Sequence, residues 1–221
     1  MDMYAYFVPT QRRRVQLWQE EVLGMPLLRV ELPGKLTPRG CRKLERSFKR
    51  WRIHRLFNTP EGWFGTTLPP LSETRPLWNT MASEAGLLLL EQNGISPAAA
   101  TVEFCGDRFT QETRRLILRM LPQVRAVALN LPVEEAFIWQ LQREYGVSPL
   151  LCGGDLAICF APAQRSLVLP LWQSRPVVDG LSLTARLDDL PKGCPELPLL
   201  SALVEQGRVS PEQIEIHSNF A

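Results

Sequence analysis

The sequence predicts an α/β protein built on a mostly parallel sheet with flanking helices. Between residues 101 and 160, short apolar runs alternate with amphipathic stretches of roughly 12 to 14 residues, the pattern of βαβ units. Turn residues punctuate the joints at Gly106, Pro122, Gly146 and Gly153-Gly154. Composition agrees: 45% hydrophobic and 22% charged residues exclude a disordered chain. A chain of 221 residues also buries a full core without the help of metals or disulfides.

Taken in order, residues 27–32 (LLRVEL) form an apolar, β-leaning run closed by Pro33-Gly34. Thr37-Pro38 then reads as a helix start, with threonine capping free amides and proline suiting the first helical position. Cys41, Leu44, Phe48 and Trp51 follow as one apolar stripe at helical spacing, and 53–57 reads as a second strand. Residues 59–76, with four prolines, form an irregular connector and mark a boundary. A helix over 75–92 stops at Gly94. Strands are expected at 101–105, 124–131, 147–152 and 156–160, with helices at 110–121 and 132–145. Further strands at 167–172 and 181–184, a helix at 197–206 and a short one from Pro211 complete the chain. The expected organisation is two lobes: a smaller basic α/β lobe at 1–70, a connecting helix at 71–94, and a second α/β lobe at 95–221.

A parallel βαβ unit raises the question of a dinucleotide. The first turn of the second lobe runs Cys105-Gly106-Asp107-Arg108-Phe109-Thr110-Gln111. In rhythm this region resembles Rossmann-type nucleotide-binding domains, hence a Rossmann-like expectation for the lobe. The dinucleotide motif needs three glycines, and here only Gly106 stands; Arg108 and Gln111 occupy the other two positions. The acidic residue that would hold a ribose hydroxyl is also missing, as the next strand ends at Asn130-Leu131. A weaker ligand site remains readable. Gly106, Asp107, Arg108 and Thr110 at the helix start offer partial positive charge and a guanidinium to a nucleotide or phosphorylated metabolite. Gly153, Gly154 and Asp155 form a second loop of bare backbone after an expected strand end. The plainer reading makes Arg108 a solvated turn residue, Asp107 the helix cap, and 153–155 a turn.

Charge is unevenly spread. Residues 1–60 carry 13 Lys and Arg against 5 Asp and Glu, while the remainder carries 12 against 18. On the helix after Thr37, Arg39, Arg42, Lys43, Arg46, Lys49 and Arg50 oppose the apolar stripe. Such a face neutralises nucleic-acid phosphates or remains simply solvated; no helix-turn-helix or RNA-binding motif accompanies it.

Nothing in the sequence nominates a nucleophile or general base. The two histidines, His54 and His217, are far apart, and neither a G-x-S-x-G elbow nor a P-loop is present. Cys41, Cys105, Cys152, Cys159 and Cys194 are scattered without metal-ligand spacing, and Cys105 and Cys159 read as buried apolar residues. The expectation is therefore a non-catalytic binding or scaffold module with no metal and no cofactor. The alternatives are an enzyme or sensor using the 106–111 and 153–155 loops, or nucleic-acid association through 39–50. The order of charged and apolar residues at the start does not read as a secretory leader, and no apolar run reaches membrane-spanning length, so a cytoplasmic protein is expected. Its partner is expected to be a small ligand or a protein. Homo-oligomerisation through an apolar surface at Trp63, Phe64 and Trp78 is a further expectation.

Overall fold

The computed structural model describes residues 3–12, 14–60, 63, 67–185, 187 and 190–218. The chain divides into two compact units, one of residues 1–74 with 184–213, the other of 75–183 with 214–221. This differs from the contiguous lobes expected at 1–70 and 95–221, because residues 184–213 return to the first unit.

The first unit is a four-stranded mixed sheet in the order β2-β3-β1-β4. Strand β1 (Met3–Thr10) lies at its centre, parallel to both β3 (Met25–Pro33) and β4 (Ile53–Leu56). Strand β2 (Gln16–Val22) forms an antiparallel hairpin with β3. The two residues of the hairpin turn, Leu23 and Gly24, both have positive φ, at 48° and 78°. That is the twist a two-residue hairpin needs, and it is unusual for leucine. Ala5, Phe7, Leu28, Val30, Leu32 and Leu56 of the sheet pack with Leu44 and Phe48 of α1 (Pro38–Trp51) as one core.

Helix α1 starts where the sequence places it. Thr37 Oγ1 accepts a hydrogen bond from the Gly40 amide at 3.1 Å, and Pro38 opens the first turn. Thr37→Ala should lower stability by about 1 kcal/mol, the usual cost of a lost N-cap. An unchanged urea midpoint would show the cap contributes nothing. Of the expected stripe, Cys41, Leu44 and Phe48 are buried and Trp51 is half-buried.

The second unit holds a four-stranded, wholly parallel sheet in the order β6-β5-β7-β8, flanked by helices. Its strands are β5 (Thr101–Cys105), β6 (Ala126–Asn130), β7 (Leu156–Cys159) and β8 (Val168–Pro170). Helices α4 (Gln111–Met120) and α5 (Glu135–Tyr145) follow β5 and β6. The helix expected over 75–92 is broken into α2 (Arg75–Thr80) and α3 (Ala82–Gln92). The Thr80 hydroxyl donates to the Pro76 carbonyl at 2.9 Å, a side-chain back-bond that bends helices at such breaks. Gly86 lets α3 approach the sheet: a Cβ there would sit 3.2 Å from Leu156 Cδ2 and 3.3 Å from Met120 Cε.

The strand expected at 147–152 does not form. The segment makes one isolated bridge, Leu150 to Ala128, and its Leu150 and Leu151 side chains are exposed, so no burial rewards extending the pairing. The rest of the chain supplies β9 (Leu181–Ala185), paired with β10 (Ile214–Ser218), and α6 (Glu196–Glu205) in the first unit. Among the described residues no helix is long and apolar enough to cross a membrane.

The expected apolar surface is also corrected. Trp78 is buried, Trp63 is half-buried against the first core, and Phe64 lies outside the described residues. The large apolar side chains that are exposed include Trp18, Trp139, Leu151 and Val177.

Candidate functional site

Strand β5 reads Thr-Val-Glu-Phe-Cys, and alternation puts Thr101, Glu103 and Cys105 on one face of the sheet. Register places Asn130 of β6 and Cys159 of β7 on either side of Cys105. Glu103 is fully buried, yet its carboxylate is completely engaged. Arg165 donates to it through Nε at 2.7 Å and Nη2 at 2.8 Å, a bidentate fork. Asn130 Nδ2 adds a bond at 3.1 Å and the Gly153 amide another. The Arg165 hydrogen bonds, helped by Asn130 and Gly153, overcome burial and hold the Glu103 pKa down at about 2. Beside it the Cys105 and Cys159 thiols are hydrogen-bonded to each other. Burial pushes both upward, Cys159 to about 12, so neither supplies a thiolate at neutral pH.

The loop at 153–155 serves this arrangement. Asp155 pairs with Thr101 twice: its amide donates to the Thr101 carbonyl at 2.8 Å, and its carboxylate accepts from the Thr101 amide at 2.8 Å. Gly154 lies directly on β5, where a Cβ would sit 2.9 Å from both Glu103 N and Thr101 O. The loop therefore leads into β7 beside the amino end of β5, not beyond a strand's carboxyl end as the sequence suggested.

The loop at 106–111 leaves the opposite, carboxyl end of β5, about 13 Å away along a strand of this length. The two loops are thus not brought together. Gly106 donates its amide to the Asn130 carbonyl at 3.2 Å, and Phe160 donates to the Cys105 carbonyl at 2.7 Å. A Cβ on Gly106 would sit 3.3 Å from Phe160 Cβ, so the phenylalanine stands directly against this turn. Thr110, not Asp107, caps α4: its hydroxyl oxygen accepts from the Thr113 amide at 3.1 Å. Asp107 and Arg108 are exposed.

The six cations of α1 are all exposed, and among the described residues none is ion-paired. At 100° per residue they fall within an arc of about 120°. Glu45, the one acid on the helix, is half-buried and accepts from the Thr67 amide at 3.3 Å. Arg39 thus neighbours Arg42 and Lys43, and Arg46 neighbours Arg42, Lys43, Lys49 and Arg50, at three- and four-residue spacings. At about 0.2–0.5 kcal/mol per like-charged pair, α1 carries about 1–3 kcal/mol of self-repulsion at low salt. Lys49 and Arg50 recover part of this at the helix carboxyl end.

Sequence reasoning missed Glu103, Arg165 and Asn130. The available signal was a carboxylate inside an otherwise apolar strand, which demands a partner because a lone buried charge is so costly. Among the described residues no three His, Cys, Asp or Glu side chains group as a metal site. The sequence matches no protein-family model and no curated protein.

Proposed function

We propose that this chain is a non-catalytic binding module whose second unit is Rossmann-like but does not use the fold's usual ligand crevice. The strand order supports the first part. Counted along the chain, the four parallel strands run second, first, third, fourth, and the order reverses between β5 and β7, as it does in dinucleotide-binding sheets. In such sheets a ligand lies beyond the carboxyl ends where the order reverses, here between β5 and β7. The observation that carries the reading is the packing of Phe160 against Gly106 at that point, with the amides of both residues engaged by the sheet's own carbonyls. Neutral thiols at Cys105 and Cys159 favour a structural over a nucleophilic role for the pair.

A thermal-shift series with ATP, NAD, NADP, S-adenosylmethionine and sugar phosphates tests this. No ligand should move the unfolding midpoint by more than about 1 °C. A ligand at a hundred times its Kd adds about 2.7 kcal/mol and would move it by several degrees. That result would overturn the proposal and make Arg108 the first residue to replace.

A further inference from the structure

We infer that the outer face of α1 docks on the phosphate backbone of a nucleic-acid duplex. The inference names a partner for the proposed binding module, and it rests on that reading only in taking the chain to act by binding. Six exposed cations, none ion-paired among the described residues, lie on one stripe between Arg39 and Arg50, a rise of about 16 Å. Duplex DNA offers a negative charge every 1.7 Å or so along its axis, so a stripe of this length faces several phosphates at once. Four of the six are arginines, whose planar fork matches a phosphate bidentately. The single acid of the helix, Glu45, lies beside the stripe rather than on it and accepts from the Thr67 amide.

Two other polyanionic surfaces fit less well. A helix that lies in a lipid interface must insert an apolar face, but Leu44 and Phe48 of α1 are committed to the core. A protein partner would want an aromatic or aliphatic anchor at the centre of the patch, and the exposed large apolar residues all lie outside α1.

The test is fluorescence anisotropy of the full chain with a labelled mixed-sequence DNA duplex of about 30 base pairs, at several salt concentrations. Four to six phosphate contacts predict that affinity falls about 10²–10³-fold from about 50 to about 200 mM KCl. Arg42→Ala/Arg46→Ala/Lys49→Ala should lower the slope of log K against log salt by about 3 and remain folded, since like charges are removed from an exposed face. Arg46→Glu should weaken binding more than Arg46→Ala does, since it replaces a phosphate-facing cation with an anion. Arg143→Ala on α5, which changes net charge elsewhere, should bind as the parent does. Affinity that is flat with salt, or unchanged in the triple variant, overturns the inference. So does equal or tighter association with phosphatidylserine vesicles or polyglutamate than with duplex. A nucleotide-induced thermal shift would instead overturn the proposed function and leave the duplex result standing.

Discussion

Gly154→Ala should cost about 3 kcal/mol or more, enough to lower the midpoint of thermal unfolding by about 6–12 °C in a chain of this size. Its added methyl would sit 2.9 Å from Glu103 N and from Thr101 O, both backbone atoms of β5, a strand paired on both sides. Neither atom can yield, so the loop must lift. Lifting it strips the Gly153 amide from Glu103 and the Asp155 pair from Thr101. Gly153 provides the contrast. It has φ +88° with open space around its Cβ position, so Gly153→Ala meets only the left-handed backbone penalty of about 1–2 kcal/mol. Urea or thermal melts that rank Gly153→Ala as the worse of the two would show that close approach to β5 is not what the loop requires.

Arg165→Met should be clearly destabilising at neutral pH, because it leaves the fully buried Glu103 carboxylate without its cation. The double variant Glu103→Leu/Arg165→Met should recover much of that loss, since removing both charges removes the desolvation penalty as well. The pair also sets an acid limit. The Glu103 pKa is lowered from 4.5 to about 2 in the folded chain, so its stabilisation is present above about pH 5 and is lost as pH falls toward 2. A shift of that size corresponds to up to about 3 kcal/mol. The gap between parent and Arg165→Met should therefore narrow on acidification. A gap that stays constant from neutral pH down to about 3 would mean that the pair does not govern acid stability.

The parts of the fold legible in the sequence are those where local chemistry and tertiary context agree. Thr37-Pro38 announces α1, and the burial of Cys41, Leu44 and Phe48 follows from their spacing. The alternation from β5 to α5 survives because each element carries its own periodicity and stop. The first hairpin was hidden for a local reason: its turn uses Leu23, where the readable signal would be asparagine or glycine. Strand β1 was hidden because the centre of a sheet is buried on both faces, and Tyr4 to Phe7 show no alternation to read. The error at 147–152 moved the glycine loop to the wrong end of the sheet. The exposed cations of α1 were legible from spacing alone, whereas Glu103 and Arg165 are 62 positions apart and meet only through the fold.

The route of the chain also bears on how the protein is made. Residues 75–183, about half the chain, belong to the second unit and are synthesised before 184–213 return to the first, so the first unit stays incomplete over that stretch. Ser201 Oγ donates to the Glu73 carbonyl at 2.8 Å and Glu205 lies 3.8 Å from Arg55, contacts that close the unit from far along the sequence. At about 5–20 residues per second, the ribosome delivers those closing residues about 7–30 s after Thr74 has been added. During that interval the first unit lacks α6, while its most cationic helix, α1, is already complete. The first unit therefore cannot be completed until these residues have emerged from the ribosome.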